Sequence, residues 1–201
     1  MRSSIDRMSR GRKTLLSLLL VGVVGTVASI GTYSAFSATT VNAGDSFAAG
    51  TVVISDNDAG VAMYTVTNAR PLDVVTRCIR VTYTGSLPAL VRLYTTTPIN
   101  AFGQYVTLSI DKGTMPIGTV FPNCIGFTPD AAPNIFTGTL SSFGTARTNF
   151  ATGVPANPGA AVQWVNNDSL VYRFTLTMQD NPLATGGTSG THSFTWEAQN
   201  V

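Results

Sequence analysis

His192 is the only histidine in the chain, so acid–base or metal chemistry would have to be built around one imidazole. A zinc hydrolase needs several nitrogen or sulfur ligands at close quarters. The sequence holds no His-Glu-x-x-His, no Cys-x-x-Cys and no second histidine. A serine hydrolase needs its nucleophile on a Gly-x-Ser-x-Gly turn; that motif is absent, and Thr185 to Thr191 (TGGTSGT) reads as a flexible turn. Gly186-Gly187 precedes no lysine and opens no helix, so it is not a phosphate cradle. The pattern makes His192 a surface residue at the start of a strand, and it implies no catalytic residue and no cofactor.

Two smaller constellations have two readings each. Asp56-x-Asp58-x-Gly60 alternates carboxylates and ends in glycine, as the start of a calcium loop does, but no glutamate follows at the spacing an EF-hand requires. A tight turn explains the same residues, because Asp and Asn bond their own backbone. Tyr172, Phe174, Phe194 and Trp196 alternate on late strands, as a stacking platform for sugars or bases would; so do the residues of a sandwich core. Asn167-Asp168-Ser169 is an Asn-x-Ser sequon that also reads as a turn.

The elements that position these residues are strands. The chain has 201 residues, 44% hydrophobic and only 11% charged, enough for one domain with a real core. With so few charges, the polar surface is made of Thr, Ser, Asn and Gln, and the stiffness of Thr and Val at the β-carbon favours a pleated sheet. Short apolar runs punctuated by Gly, Pro and Asn predict strands at 51–55, 61–67, 75–84, 90–95, 105–110, 162–165, 170–178 and 192–198. In the run 170–178, Tyr172, Phe174, Leu176 and Met178 share one face, and Val171, Arg173, Thr175 and Thr177 the other. One segment departs: Leu140, Phe143, Arg147 and Phe150 recur at steps of three and four, predicting a short amphipathic helix within 139–150 that covers an open end of the sheets. The expected fold is all-β, an antiparallel jelly-roll-like β-sandwich with one short helix.

The first 34 residues have a different grammar. Arg2, Arg7, Arg10, Arg12 and Lys13 make a positive region, Thr14 to Ile30 an apolar run, and Thr32-Tyr33-Ser34 a small-residue junction before Ala35. This is the three-part pattern of a secretory signal peptide cut between Ser34 and Ala35. The other reading is a retained anchor, for which seventeen apolar-leaning residues are short against a usual ~20. Removing the segment takes away five of 12 basic residues and one of 10 acidic ones, leaving 7 against 9, or about −2, so the charge gives no case for nucleic-acid binding. Domain organisation is therefore a signal peptide at 1–34 and a single domain at 35–201, secreted or at the cell surface, touching a membrane only before cleavage. In such a compartment Cys78 and Cys124, the only cysteines, are expected to pair. The alternative is two buried free thiols. A bridge closing the 45 intervening residues would contribute ~4 kcal/mol on the chain-entropy model.

Thr32 to Thr40 (TYSAFSATT) followed by Asn42 to Val52 (NAGDSFAAGTV) resembles the TasA/camelysin family of secreted proteins, whose signal peptides are cut by a SipW-type signal peptidase. Ile79 to Gly85, Val91 to Tyr94, Tyr172 to Thr175 and Phe194 to Gln199 are similar to its actinobacterial-type branch, so the resemblance spans most of the chain. It implies a jelly-roll-like sandwich that polymerises with itself, and with accessory matrix proteins, into extracellular or biofilm-matrix fibres. On this implication Ala35, Phe36, Ser37, Ala38, Thr39 and Thr40 begin an N-terminal donor segment, spanning 35–50, that completes the sheet of the next subunit by β-augmentation. The stretch is uncharged before Asp45 and could pair without burying a charge. The family name also carries a metalloendopeptidase label, for which this chain has no zinc motif. A monomeric surface adhesion or carbohydrate-binding sandwich shares the same fold class.

Overall fold

The structure, a computed structural model, describes Gly11, residues 49–156 and residues 162–200. Contacts divide the chain into the units Met1–Ala48 and Ala49–Val201, and the second is the sandwich described below. Apart from Gly11, the signal peptide at 1–34, the cleavage site Ser34–Ala35 and the assembly residues Ala35 to Thr40 lie outside the described residues, as does the donor segment 35–50 up to residue 48.

Two antiparallel sheets make the second unit an all-β sandwich. Strands β1 (Ile54–Asp56), β2 (Val74–Tyr83), β7 (Ser169–Met178), β4 (Val106–Thr114) and β5 (Thr128–Thr139) form a five-stranded sheet in the order β1-β2-β7-β4-β5. Strands β6 (Val154–Pro155), β3 (Ala89–Tyr94) and β8 (Thr195–Asn200) form the facing sheet in the order β6-β3-β8. The period-two pattern of β7 places Tyr172, Phe174, Leu176 and Met178 inward and buried, as expected. Ile79, Val81 and Tyr83 of β2, Leu108 and Ile110 of β4, and Val91 and Leu93 of β3 meet them in one continuous core. Trp164, fully buried, belongs to the same core.

Several elements differ from expectation. Residues 61–67 (VAMYTVT) are apolar and β-branched but make no strand; Met63 and Tyr64 pack on the core as a loop, with no ladder on either side. The expected strand 162–165 reduces to one bridge, in which Trp164 and Ala89 exchange N–H···O bonds of 2.7 and 3.0 Å. Strand β5 was not expected at all. Its sequence TPDAAPNIFTGT holds two prolines and no sustained alternation, and its register against β4 shifts between Ile110 and Asp111 and again between Asp111 and Gly113. An edge position tolerates this, because proline's missing N–H can face away from the ladder.

The helix α1 (Leu140–Ala146) follows β5 without a break. Thr139 caps it, its hydroxyl accepting from the Ser142 N–H at 3.0 Å. Leu140 and Phe143 are buried, whereas Arg147 is already the C-cap and Phe150 lies beyond. A Cβ on Gly103 would come within 2.9 Å of the Ser141 amide, so the 3₁₀ turn Ala101–Tyr105 can pack against α1 only with glycine there.

Outside the five-stranded sheet, the connection from β4 to β5 folds back over Cys78. The disulfide Cys78–Cys124 joins β2 to this connection, with Cα atoms 5.1 Å apart. Met115, Val171 and Phe127 close a second, small apolar cluster around it. Arg80 fastens the same loop by donating from Nη2 to the carbonyls of Met115 and Pro116.

Candidate functional site

The sandwich is open at one corner. Strand β1 pairs only with β2, and β8 pairs only with β3, so each has one edge with no strand beside it among the described residues. Between them lies a cleft of about 220 Å³, lined by Ile54, Ser55, Asp56 and Val81 on one side and Phe194, Thr195 and Trp196 on the other.

Local sequence builds each wall. Residues 51–56 are held along the end of β2 by backbone bonds, Thr84 N–H to Val53 O at 2.9 Å and Leu87 N–H to Thr51 O at 3.1 Å. Gly85 permits that approach, since a Cβ there would meet the Thr51 carbonyl at 2.6 Å. The strand then stops because Asp56 and Asp58 turn the chain. The Asp56 carboxylate accepts from the Asp58 N–H at 3.1 Å, and the Asp58 carboxylate from the Gly60 N–H at 2.6 Å. These are the backbone bonds that favour Asp in turns. Partial burial raises the Asp56 carboxyl above its ordinary value, against the opposing effect of its bond from the Asp58 backbone. Among the described residues, no three His, Cys, Asp or Glu side chains gather as a metal site would need.

The other wall rests on aromatics. Phe194 stacks at 4.7 Å from Phe174, and Trp196 at 5.4 Å from Tyr172. The four alternating aromatics therefore form a core contact, two of them fully buried. The Trp196 indole N–H is buried with no hydrogen-bond partner among the described residues. Leaving such a donor unmet costs about 1–3 kcal/mol.

His192 precedes β8 rather than starting it. Its Nδ1 lies 3.1 Å from the Gly190 carbonyl, which can only accept, so Nδ1 carries the proton. Nε2 is then the acceptor for the Tyr64 hydroxyl at 2.5 Å. Burial raises the Tyr64 phenol far above its ordinary value, which keeps it a donor. This bond ties loop 61–67 to the lead-in of β8. It is a structural role that the isolated position of His192 in sequence did not suggest, because Tyr64 is 128 residues away.

On the outer face of β8, Glu197 accepts from the Tyr94 hydroxyl at 2.6 Å and from the Gln199 amide at 2.7 Å. Those bonds, Tyr94 first, hold its carboxyl below the ordinary value, and the same contact raises the Tyr94 phenol. The sequon residue Asn167 is exposed, at φ +72°, in the turn before β7. No protein-family model and no curated protein matches this chain.

Proposed function

We propose that the protein is a secreted structural subunit that assembles with copies of itself into extracellular fibres. The N-terminal segment of one mature copy, beginning at Ala35, would lie as an added strand in the β1/β8 corner of the next. The observation that carries this reading is the cleft between two strand edges that are unpaired among the described residues, lined in part by Trp196, whose buried indole N–H has no partner there. An extended segment satisfies such an edge through its own backbone groups, while its side chains fill the cleft. The stretch 35–44 (AFSATTVNAG) suits the role: it is uncharged, mostly small, and has one aromatic, Phe36. In this reading cleavage after Ser34 by a signal peptidase frees the donor, so export and assembly are one sequence of events. Family resemblance and the low charge support the same conclusion.

Removing residues 35–45 from mature protein tests it. Electron microscopy should show fibres from the intact mature chain and none from the truncated one, which should elute as a monomer. Fibres of normal length from the truncated chain would reject the donor role.

A further inference from the structure

Lysine is nearly absent from this chain: Lys13 and Lys112 are the only two. Lys112 lies on β4 in line with the core residues Leu108 and Ile110, and it is 2% exposed. Opposite it on β7 is Tyr172, fully buried, whose hydroxyl is committed to the Ala156 carbonyl at 2.7 Å. An ammonium carries three donors and a strong preference for water. Among the described residues its one charged partner is Asp130 of β5, with Nζ 3.7 Å from Oδ2, beyond hydrogen-bond length.

The β4–β5 ladder explains how they meet. Asp111 pairs with Asn134 and Gly113 with Pro129, so Lys112 has no opposite residue, and Asp130 reaches the ammonium from the bulged stretch between. Lys112 is buried while Asp130 is 31% exposed, so the pair sits at the rim of the sheet with its ammonium side out of water, and without a hydrogen bond the contact recovers little of the cost of desolvating the ammonium. Transfer of one proton from the ammonium to the carboxylate across this contact gives an amine and a carboxylic acid, and those are the two halves of an amide.

We propose that Lys112 and Asp130 are joined by an intramolecular isopeptide bond formed after the chain folds. One proton passes from the ammonium to the Asp130 carboxylate, and the freed Nζ lone pair attacks Cγ. The bond from Cγ to the hydroxyl breaks, and the hydroxyl leaves with one proton from nitrogen as water. No oxidant, nucleotide or other reactant is consumed. Nζ lies 3.7 Å from Oδ2 of the carboxyl it would attack, so the fold itself brings the two reacting groups together and removes the entropic cost of their encounter. The product keeps one N–H and one carbonyl and carries no charge, so the burial of the Lys112 side chain is no longer opposed. It also fastens β5, an edge strand, covalently to its neighbour.

Tryptic mapping of folded protein, afterwards denatured and reduced, decides the matter. Between Arg92 and Arg147, Lys112 is the only cleavage site. The linked protein should yield residues 93–147 as one peptide, lighter by one water, because an acylated lysine is not cut. Asp130→Ala should restore cleavage after Lys112 and the full mass. Recovery of 93–112 and 113–147 as separate peptides of full mass from the wild type would show an ion pair only and overturn the proposal. So would a loss of water from the wild type that persists in Asp130→Ala.

Discussion

The two edges of the five-stranded sheet are built in opposite ways. Strand β5 is twelve residues long, contains Pro129 and Pro133, twice loses register with β4, and runs straight into α1. Its Asn134 amide donates to Ser109 and to Asp111, each at 3.1 Å. Strand β1 is three residues long and has neither proline nor bulge, and a cleft separates it from β8. Prolines, bulges and covering helices are the usual ways a sheet edge is kept from pairing with another chain. They are concentrated on β5 and absent from β1, which is protected by its shortness alone; on the proposed function, β1 is the edge left for a partner.

That contrast can be broken, starting where the effect is largest. Phe143→Ala removes a fully buried ring of α1 that packs edge-on against Phe136 and Phe194 at 5.0 and 5.4 Å. It should cost ~3–5 kcal/mol in chemical denaturation, while protein that remains folded still assembles; a loss below ~1 kcal/mol would mean that α1 does not hold the closed side. Cys78→Ser with Cys124→Ser should cost roughly 2–4 kcal/mol, seen as a lower denaturation midpoint that added reductant no longer changes. This staple links β2, the neighbour of the open edge, to the connection that enters β5. Unequal loosening, measured by hydrogen exchange, would show which edge depends on it more. Ser55→Lys puts a charge on the exposed lip of the cleft. Stability should stay within ~0.5 kcal/mol while fibre formation is lost, and unchanged fibres would remove the β1/β8 corner as the docking edge.

The sequence carried the sandwich where side chains alternate cleanly. Strands β2, β4 and β7 stand within a few residues of their expected places, because each is buried on its inner face and its pattern is period two. Strand β5 was illegible for the reason it is safe at an edge: bulges and prolines erase alternation. Residues 61–67 erred the other way, since a short apolar run with β-branched residues also suits a loop that drops Met63 and Tyr64 onto a core. Of the candidate site, only the turn at Asp56 and Asp58 and the aromatics at 194 and 196 could be found locally. The cleft needed tertiary structure, as it joins residues 54–56 to 194–196. The Lys112–Asp130 contact was likewise hidden, since no motif marks a lysine that turns inward from a bulged strand.

The burial of Lys112 has a practical consequence for chemistry at the surface. Beyond residue 34 the chain contains no other lysine, and this one is 2% exposed. A folded chain beginning at Ala35 offers amine-directed reagents no accessible side chain. Dyes, biotin esters and aldehyde fixatives would mark its terminal amine alone, and so would follow, without any engineered tag, whether that end is free or covered by a neighbouring molecule.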